Sequence, residues 1–452
     1  MSNPLATPVR VNTPIKRVAM LFSGGPAPAA NSVIAAAAAV FSKNGVEVLG
    51  MLNGYTHLEK YDGTPLEEGV AYRKLCWKCM EGQRNANGIM IGTARVNPGK
   101  QLKKPEDLRD PEKTAPMKRT YDALCSLGVD ALISLGGDDT LTTAAKFKLW
   151  QDTLPADAKR IRVVHLPKTI DNDYAGIDFT FGYFSAVEFL ANECYNLLAD
   201  ARATGTYYVA QVMGRAAGWL AYGAAIAGEA SFVVSLEDIA DDWYTEEPTV
   251  NPKTGATVTD ENGRPMMRKV VKLDLLVNRI ADQVMARDRE GKGYGVIVMA
   301  EGIGEFLPLS DIRECVSESE YKSLEPDSFG HFPVSQLKYS GYVGRKVAAI
   351  VAEKTGVKKK FVGLQFGYEI RCNRPVAFDV VLGSQLGCGA YRALCEQGKN
   401  GVMVSVDERF DLVYRKFEEL INYEKLRATP RPIFPGESMH MLARYLETRT
   451  DC

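Results

Sequence analysis

In the N-terminal half, short apolar runs rich in β-branched residues alternate with longer helical patterns. Strand candidates are Arg17 to Phe22, Val46 to Met51, Ala131 to Leu135 and Ile161 to Leu166. Between them lie helix-like segments such as Pro28 to Ser42, Met117 to Leu127 and Thr140 to Trp150, each closed by a Gly, Asn or Pro breaker. Parallel strands need crossovers long enough to carry the chain back, and a helix supplies that length. The alternation therefore predicts an α/β class, a largely parallel sheet with helices on both faces.

At 452 residues the chain is too long for one ordinary compact domain, so two or three lobes are expected. An amphipathic stretch from Phe181 to Ala203 leads into TYYVAQV and MGRAAGWLAYGAAIAG, a strand and helix that read as the start of a second lobe. Residues 238–270 are polar and turn-rich, which suits an exposed hairpin or loop excursion. The helical pattern resumes at 271–288, the strand YGVIVMA covers 294–300, and the tail from about 406 reads as charged and helix-like.

A net charge of -1 and a pI near 6.5 exclude a broad nucleic-acid or acidic-membrane footprint and favour a small-molecule partner. The longest run without polar residues, VIAAAAAVF, is far short of a membrane span. The nine cysteines have no regular spacing and the opening MSNPLATPVRVNTP has no apolar signal core, so the expectation is a cytoplasmic protein with free thiols. Cys76 and Cys79 form one CxxC, without a second pair to complete a zinc site, and read as two partly buried thiols.

Three turns at strand ends carry the chemistry. The first, SGGPAPAAN (Ser23 to Asn31), sets adjacent glycines before a helix, where backbone can approach a ligand and unpaired N–H groups can meet an anion. It lacks the lysine of a Walker loop, and a purely steric tight turn would explain it equally. The second, GGDDT (Gly136 to Thr140), puts Asp138 where parallel sheets bind ligands, a candidate for Mg²⁺ that also touches phosphate oxygens. Helix N-capping is the alternative for Asp139 or Thr140. The third, PKTIDND (Pro167 to Asp173), gathers one cation and two carboxylates, and an aspartate there suits proton abstraction from a hydroxyl that attacks phosphorus. Scattered strand-end groups, GTAR at 92–95, MGR at 213–215, Glu301 and YEIR at 368–371, add a set suited to phosphate and hydroxyl recognition.

This ordered set, with the following CNRPVAFD, resembles the phosphofructokinase family over about residues 17–404. GGDD combined with PKTIDND is similar to its pyrophosphate-dependent branch, diphosphate:fructose-6-phosphate 1-phosphotransferase. The resemblance implies a two-lobed phosphofructokinase-like fold, Mg²⁺, phosphoryl transfer to the 1-hydroxyl of fructose 6-phosphate, and a homo-oligomer, dimer or tetramer. On this reading 1–16 is an N-terminal extension, 17–203 the donor lobe, 204–404 the sugar-phosphate lobe with the 238–270 excursion, and 405–452 a C-terminal helical extension, with the lobes exchanging segments.

Carried over residue by residue, the resemblance gives Gly25 and Arg95 to the donor, Asp138 to the metal and Asp171 the role of proton acceptor. Thr169, Asp173, Met213, Gly214, Arg215, Glu301, Tyr368 and Arg371 surround the sugar phosphate. Asp139 and Lys168 replace glycines of ATP-using relatives and point to pyrophosphate. Like charges about 4 Å apart at an effective dielectric of 20 repel by about 4 kcal/mol, so Asp139 would reject a larger donor by roughly a thousandfold. Lys168 would neutralise the charge that develops on departing orthophosphate. The alternatives are an ATP-dependent enzyme or a non-catalytic subunit of the same fold.

The chain also departs from the family pattern. Ala29 and Ala30 follow Pro28 where relatives read PGxN. Ala35 and Ala39 replace two effector-binding arginines. Thr206 stands where an arginine would reach the neighbouring subunit, and Lys358 to Lys360 are the substitute cations.

Overall fold

The N-terminal alternation folds into β1 (Arg17–Ser23), β2 (Glu47–Met51), β3 (Tyr72–Leu75), β4 (Ala131–Gly136) and β5 (Arg162–Pro167), with crossover helices Ala30–Lys43, Pro111–Ser126 and Asp138–Gln151. The computed structural model describes residues 5–260, 262–324, 333 and 336–451. Further along come β6 (Thr206–Val212), β7 (Phe232–Val234), β8 (Tyr244–Pro248), β9 (Met267–Val271), β10 (Gly295–Ala300) and β11 (Lys360–Phe366). The chain ends its strand series with β12 (Val402–Val406), β13 (Leu412–Lys416) and a short pair, Ile421–Asn422 with Arg427–Ala428.

Two compact units result. The first holds Met1–Ser185 with Arg371–Pro430, the second Ala186–Ile370 with Arg431–Cys452. These bounds differ from the contiguous 17–203, 204–404 and 405–452 partition read from the sequence. The reason lies in pairing: β12 adds to β5 in parallel and β13 closes on β12, so residues well beyond 371 complete the first sheet. The tail that read as helix-like contains β13, whose Leu412, Val413 and Tyr414 favour an extended chain that the surrounding charges obscured.

The first unit's seven-stranded sheet has the order β13-β12-β5-β4-β1-β2-β3, parallel except at its two edges. Helix Ala30–Lys43 is alanine-rich because it is buried nearly throughout, in close contact with helix Ala377–Tyr391. A Cβ at Gly387 would lie 2.5 Å from the Val33 carbonyl oxygen, so glycine sets this helix–helix distance. Strand register gathers the three motif turns. Ser23 pairs with Gly136 and Gly136 with Pro167, which puts the starts of all three side by side at the carboxyl ends of neighbouring central strands.

The second unit has a four-stranded parallel sheet of order β11-β6-β10-β7. Val212 pairs with both Ala300 and Phe366, so the MGR turn, Glu301 and the start of GYEIR come directly after three aligned strand ends. The polar excursion contains the expected hairpin, β8 against β9, with Glu246 opposite Lys269 and Glu247 opposite Arg268. No helix among the described residues is long and apolar enough to cross a membrane.

Candidate active site

A cavity of about 270 Å³ opens at the aligned ends of β1, β4 and β5. Its wall contains Gly25, Arg95, Asp138, Asp139, Lys168, Thr169, Asp171, Asp173 and Arg371, all from the first unit. The structure thus brings together every donor, metal and proton-transfer candidate. It also puts Arg371 here, although the resemblance assigned that residue to the sugar phosphate. A Cβ at Gly25 would meet Arg371 Nη1 at 2.6 Å, so the first turn needs glycine to let the guanidinium approach its backbone. The loop is fastened at its other side by Gly24 N to Ala94 O at 3.0 Å and Thr93 Oγ1 to Gly24 O at 2.7 Å, which fixes the GTAR segment beside it.

The paired aspartates occupy the first turn of helix Asp138–Gln151, where negative charge meets the positive end of the helix. Neither Asp139 nor Thr140 caps it. Gly137 is the N-cap, without a side-chain hydrogen bond, and its carbonyl accepts from the amides of Thr140 and Leu141 at 2.9 Å. Both carboxylates are therefore available to the cavity. Asp138 opens onto that space while protein crowds its other sides. The loss of solvent, reinforced by the charge of Asp139, raises its pKa.

Burial dominates the chemistry of the third turn. It lowers the Lys168 pKa to about 8, with Arg371 adding to the shift and Asp171 opposing it. Burial raises Asp171, against the attraction of Lys168 and Arg371. It pushes Asp173 up to about 8, helped by the charges of Asp171 and Asp138. Asp171 Oδ1 is buried and has no hydrogen-bond partner, a costly state for a carboxylate oxygen unless a ligand completes it. The backbone around it is held firmly: Asp171 N bonds Thr169 Oγ1 at 3.0 Å, and Thr180 Oγ1 bonds Thr169 O at 2.6 Å.

Among the described residues no three His, Cys, Asp or Glu side chains converge as a metal cage. The Asp138 and Asp139 carboxylates in the cavity wall are of the type that suits a hard cation held by one or two carboxylates together with substrate phosphates.

Met213, Gly214, Arg215, Glu301 and Tyr368 belong to the second unit. There the Gly302 amide donates to Gly214 O at 3.2 Å, joining the MGR and Glu301 turns. Arg215 pairs with Glu305, Glu301 is buried, and Tyr368 is exposed. Of the substitute cations, Lys359 is paired with Asp288 at 2.7 Å, while Thr206 is buried and accepts from Thr204 at 2.8 Å.

The family model for phosphofructokinase matches residues 17–246, just over half of the chain. The chain belongs to the phosphofructokinase family. It is 30% identical over 381 residues to pyrophosphate--fructose 6-phosphate 1-phosphotransferase of Thermotoga maritima, covering 84% of this chain and 77% of that protein. It is 29% identical to the ATP-dependent 6-phosphofructokinase of Corynebacterium efficiens, covering 90% and 93%. The solved phosphofructokinase from Saccharomyces cerevisiae shares the fold with a TM-score of 0.61 at 23% identity; the match covers 89% of this chain but spans only 45% of the yeast chain.

Two supports of this phosphofructokinase cavity are not marked by any of the sequence motifs. His165, buried in β5, meets Tyr174 Oη at 2.9 Å, and that hydroxyl donates to Gly136 O at 3.1 Å, tying the second turn to the third. Burial lowers His165 to about 3, so it is neutral here and structural. A histidine inside the apolar strand VVHL was the available signal. At the cavity's far wall Thr143 Oγ1 bonds Asn97 Oδ1 at 2.8 Å, joining the second turn's helix to the segment after Arg95.

Proposed function

We propose that the chain is a reversible, Mg²⁺-dependent pyrophosphate phosphofructokinase that moves a phosphoryl group from diphosphate to the 1-hydroxyl of fructose 6-phosphate, releasing phosphate. The observation that carries this reading is the buried, unpartnered Asp171 Oδ1 beside Lys168, in the same cavity as the Asp138–Asp139 pair.

Asp171 accepts the proton of the 1-hydroxyl as its oxygen attacks phosphorus. Its raised pKa makes it a stronger base, while Lys168 and Arg371 favour its ionised form. Lys168, itself buried, faces the departing orthophosphate and offsets its charge. Bound Mg²⁺ would neutralise donor phosphate charge, and Asp138 is the residue that would hold it. Gly25, Arg95 and Arg371 give the donor a backbone approach and two cations. Thr169, Asp173, Met213, Gly214, Arg215, Glu301 and Tyr368 are assigned to the sugar phosphate. The working form is a homo-oligomer, dimer or tetramer.

The second reading is ATP dependence, favoured by relatives such as the Corynebacterium enzyme at nearly equal identity. Asp139 in the cavity wall weighs against it, because a carboxylate there repels a longer phosphate chain. Initial rates with fructose 6-phosphate and pyrophosphate, ATP or no donor separate the readings. Pyrophosphate should give the highest kcat/KM. Equal or better use of ATP would reverse the donor assignment, and no turnover with either donor would favour a non-catalytic subunit.

A further inference from the structure

The CxxC at residues 76–79 is more exposed than its sequence context suggests. Cys79 is exposed and Cys76 half-buried, in place of the two partly buried thiols expected. Residues 77–80 form one 3₁₀ turn, closed by Cys79 N to Cys76 O at 3.1 Å. In such a turn side chains three apart eclipse. Here the two sulfurs lie 3.1 Å apart, about 1 Å beyond disulfide bonding distance. Trp77, between them, carries Lys43 and Lys78 over its ring at 5.5 and 5.9 Å. Both lysines and Arg84 line a 630 Å³ cavity beside the turn, against one acid, Glu81.

We propose that Cys76 and Cys79 form a reversible dithiol–disulfide site that exchanges with anionic low-molecular-weight disulfides of the glutathione type. The Cys76 thiolate attacks one sulfur of the incoming disulfide, forming a mixed disulfide and expelling one small thiolate, which takes up a proton. Cys79 loses its proton to solvent and attacks Cys76 Sγ, forming the protein disulfide and expelling the second small thiolate. Two protein thiols are oxidised and one small disulfide is reduced to two thiols.

The direction of attack comes from the surroundings. The Cys79 thiol and the amides of Cys79 and Lys78 hold Cys76 below the ordinary thiol range, while Cys76 raises Cys79. Burial instead pushes Cys194 and Cys315 up to about 12 and keeps them protonated. Lys43, Lys78 and Arg84 would draw an anionic reagent to the turn.

The test treats full-length protein with oxidised glutathione or with the cationic disulfide cystamine, then alkylates and digests with trypsin. Cleavage after Lys74, Lys78 and Arg84 separates the two cysteines, so the disulfide yields Leu75–Lys78 joined to Cys79–Arg84, and reductant releases them. Oxidised glutathione should react roughly tenfold faster than cystamine at low salt. Cys79→Ser should accumulate a glutathione adduct on Cys76, whereas Cys76→Ser should lose most reactivity. Modification confined to the exposed Cys372, no joined peptide, or cystamine reacting as fast as oxidised glutathione would each overturn the proposal.

Discussion

Arg371 lies so close to Gly25 that a β-carbon there would stand 2.6 Å from its Nη1. The clash falls on the far end of a flexible side chain, so Gly25→Ala should fold with less than about 1 kcal/mol lost, because the guanidinium swings away. Donor KM should rise about tenfold. In an Arg371→Ala background the same change should add little, since the two effects share one cause, and a double-mutant cycle on donor KM reads the coupling.

Asp171 has one oxygen buried without a partner, so its loss removes a reactive group and little packing. Asp171→Ser should lower kcat by 10² to 10⁴ while fructose 6-phosphate binding stays measurable by calorimetry. Unchanged turnover would remove Asp171 from the base role.

The pH profile should bend near the Lys168 value of about 8. Above it Lys168 loses its proton, so kcat/KM, which reports free enzyme, should fall with rising pH. Asp173, also near 8, gains charge over the same range. Asp173→Asn should keep the alkaline fall if Lys168 causes it, and Lys168→Met should abolish it along with most activity. For stability the sign is opposite. A lysine whose folded pKa is depressed leaves the unfolded chain holding more protons between pH 8 and 10.5, so Lys168 makes its contribution to stability more favourable as pH rises through that window.

The strand ends were legible because the three turns carry Gly, Pro and paired charges directly after apolar runs. Register then set Ser23, Gly136 and Pro167 in line, as a parallel sheet requires. The YEIR motif was less legible. Tyr368 and Arg371 are three residues apart, yet they belong to different units, and spacing alone carries no information about which core a segment joins. The same gap hid β13 in the charged tail, because edge strands tolerate exposed charge and blur the period-two pattern. The His165–Tyr174–Gly136 network depends on a contact between strand and loop that no local pattern encodes.

Ala29 adopts φ 64, ψ 8, left-handed geometry that costs an L-residue with a β-carbon roughly 1–2 kcal/mol. Ala29→Gly should relieve this strain, less the added freedom of the unfolded chain, for a net gain of about 0.5–1 kcal/mol. Urea denaturation should show a higher midpoint with an unchanged slope. Relief of strain at the turn leading into helix Ala30–Lys43 should leave donor KM within about twofold.

Asp139 and Asp138 share one helical turn, but their removal should have different consequences. Removing the Asp138 carboxylate should raise the Mg²⁺ concentration needed for half-maximal rate. On the proposed reading, Asp139→Gly removes the repulsion toward a longer phosphate chain, along with a charge at the helix N-terminus that raises Asp138, and should improve ATP kcat/KM by up to a thousandfold, from about 4 kcal/mol at an effective dielectric of 20. Pyrophosphate kcat/KM should change far less, since a two-phosphate donor does not reach the place where that repulsion acts. A parallel loss with both donors would show that Asp139 supports the fold of the turn instead of selecting the donor.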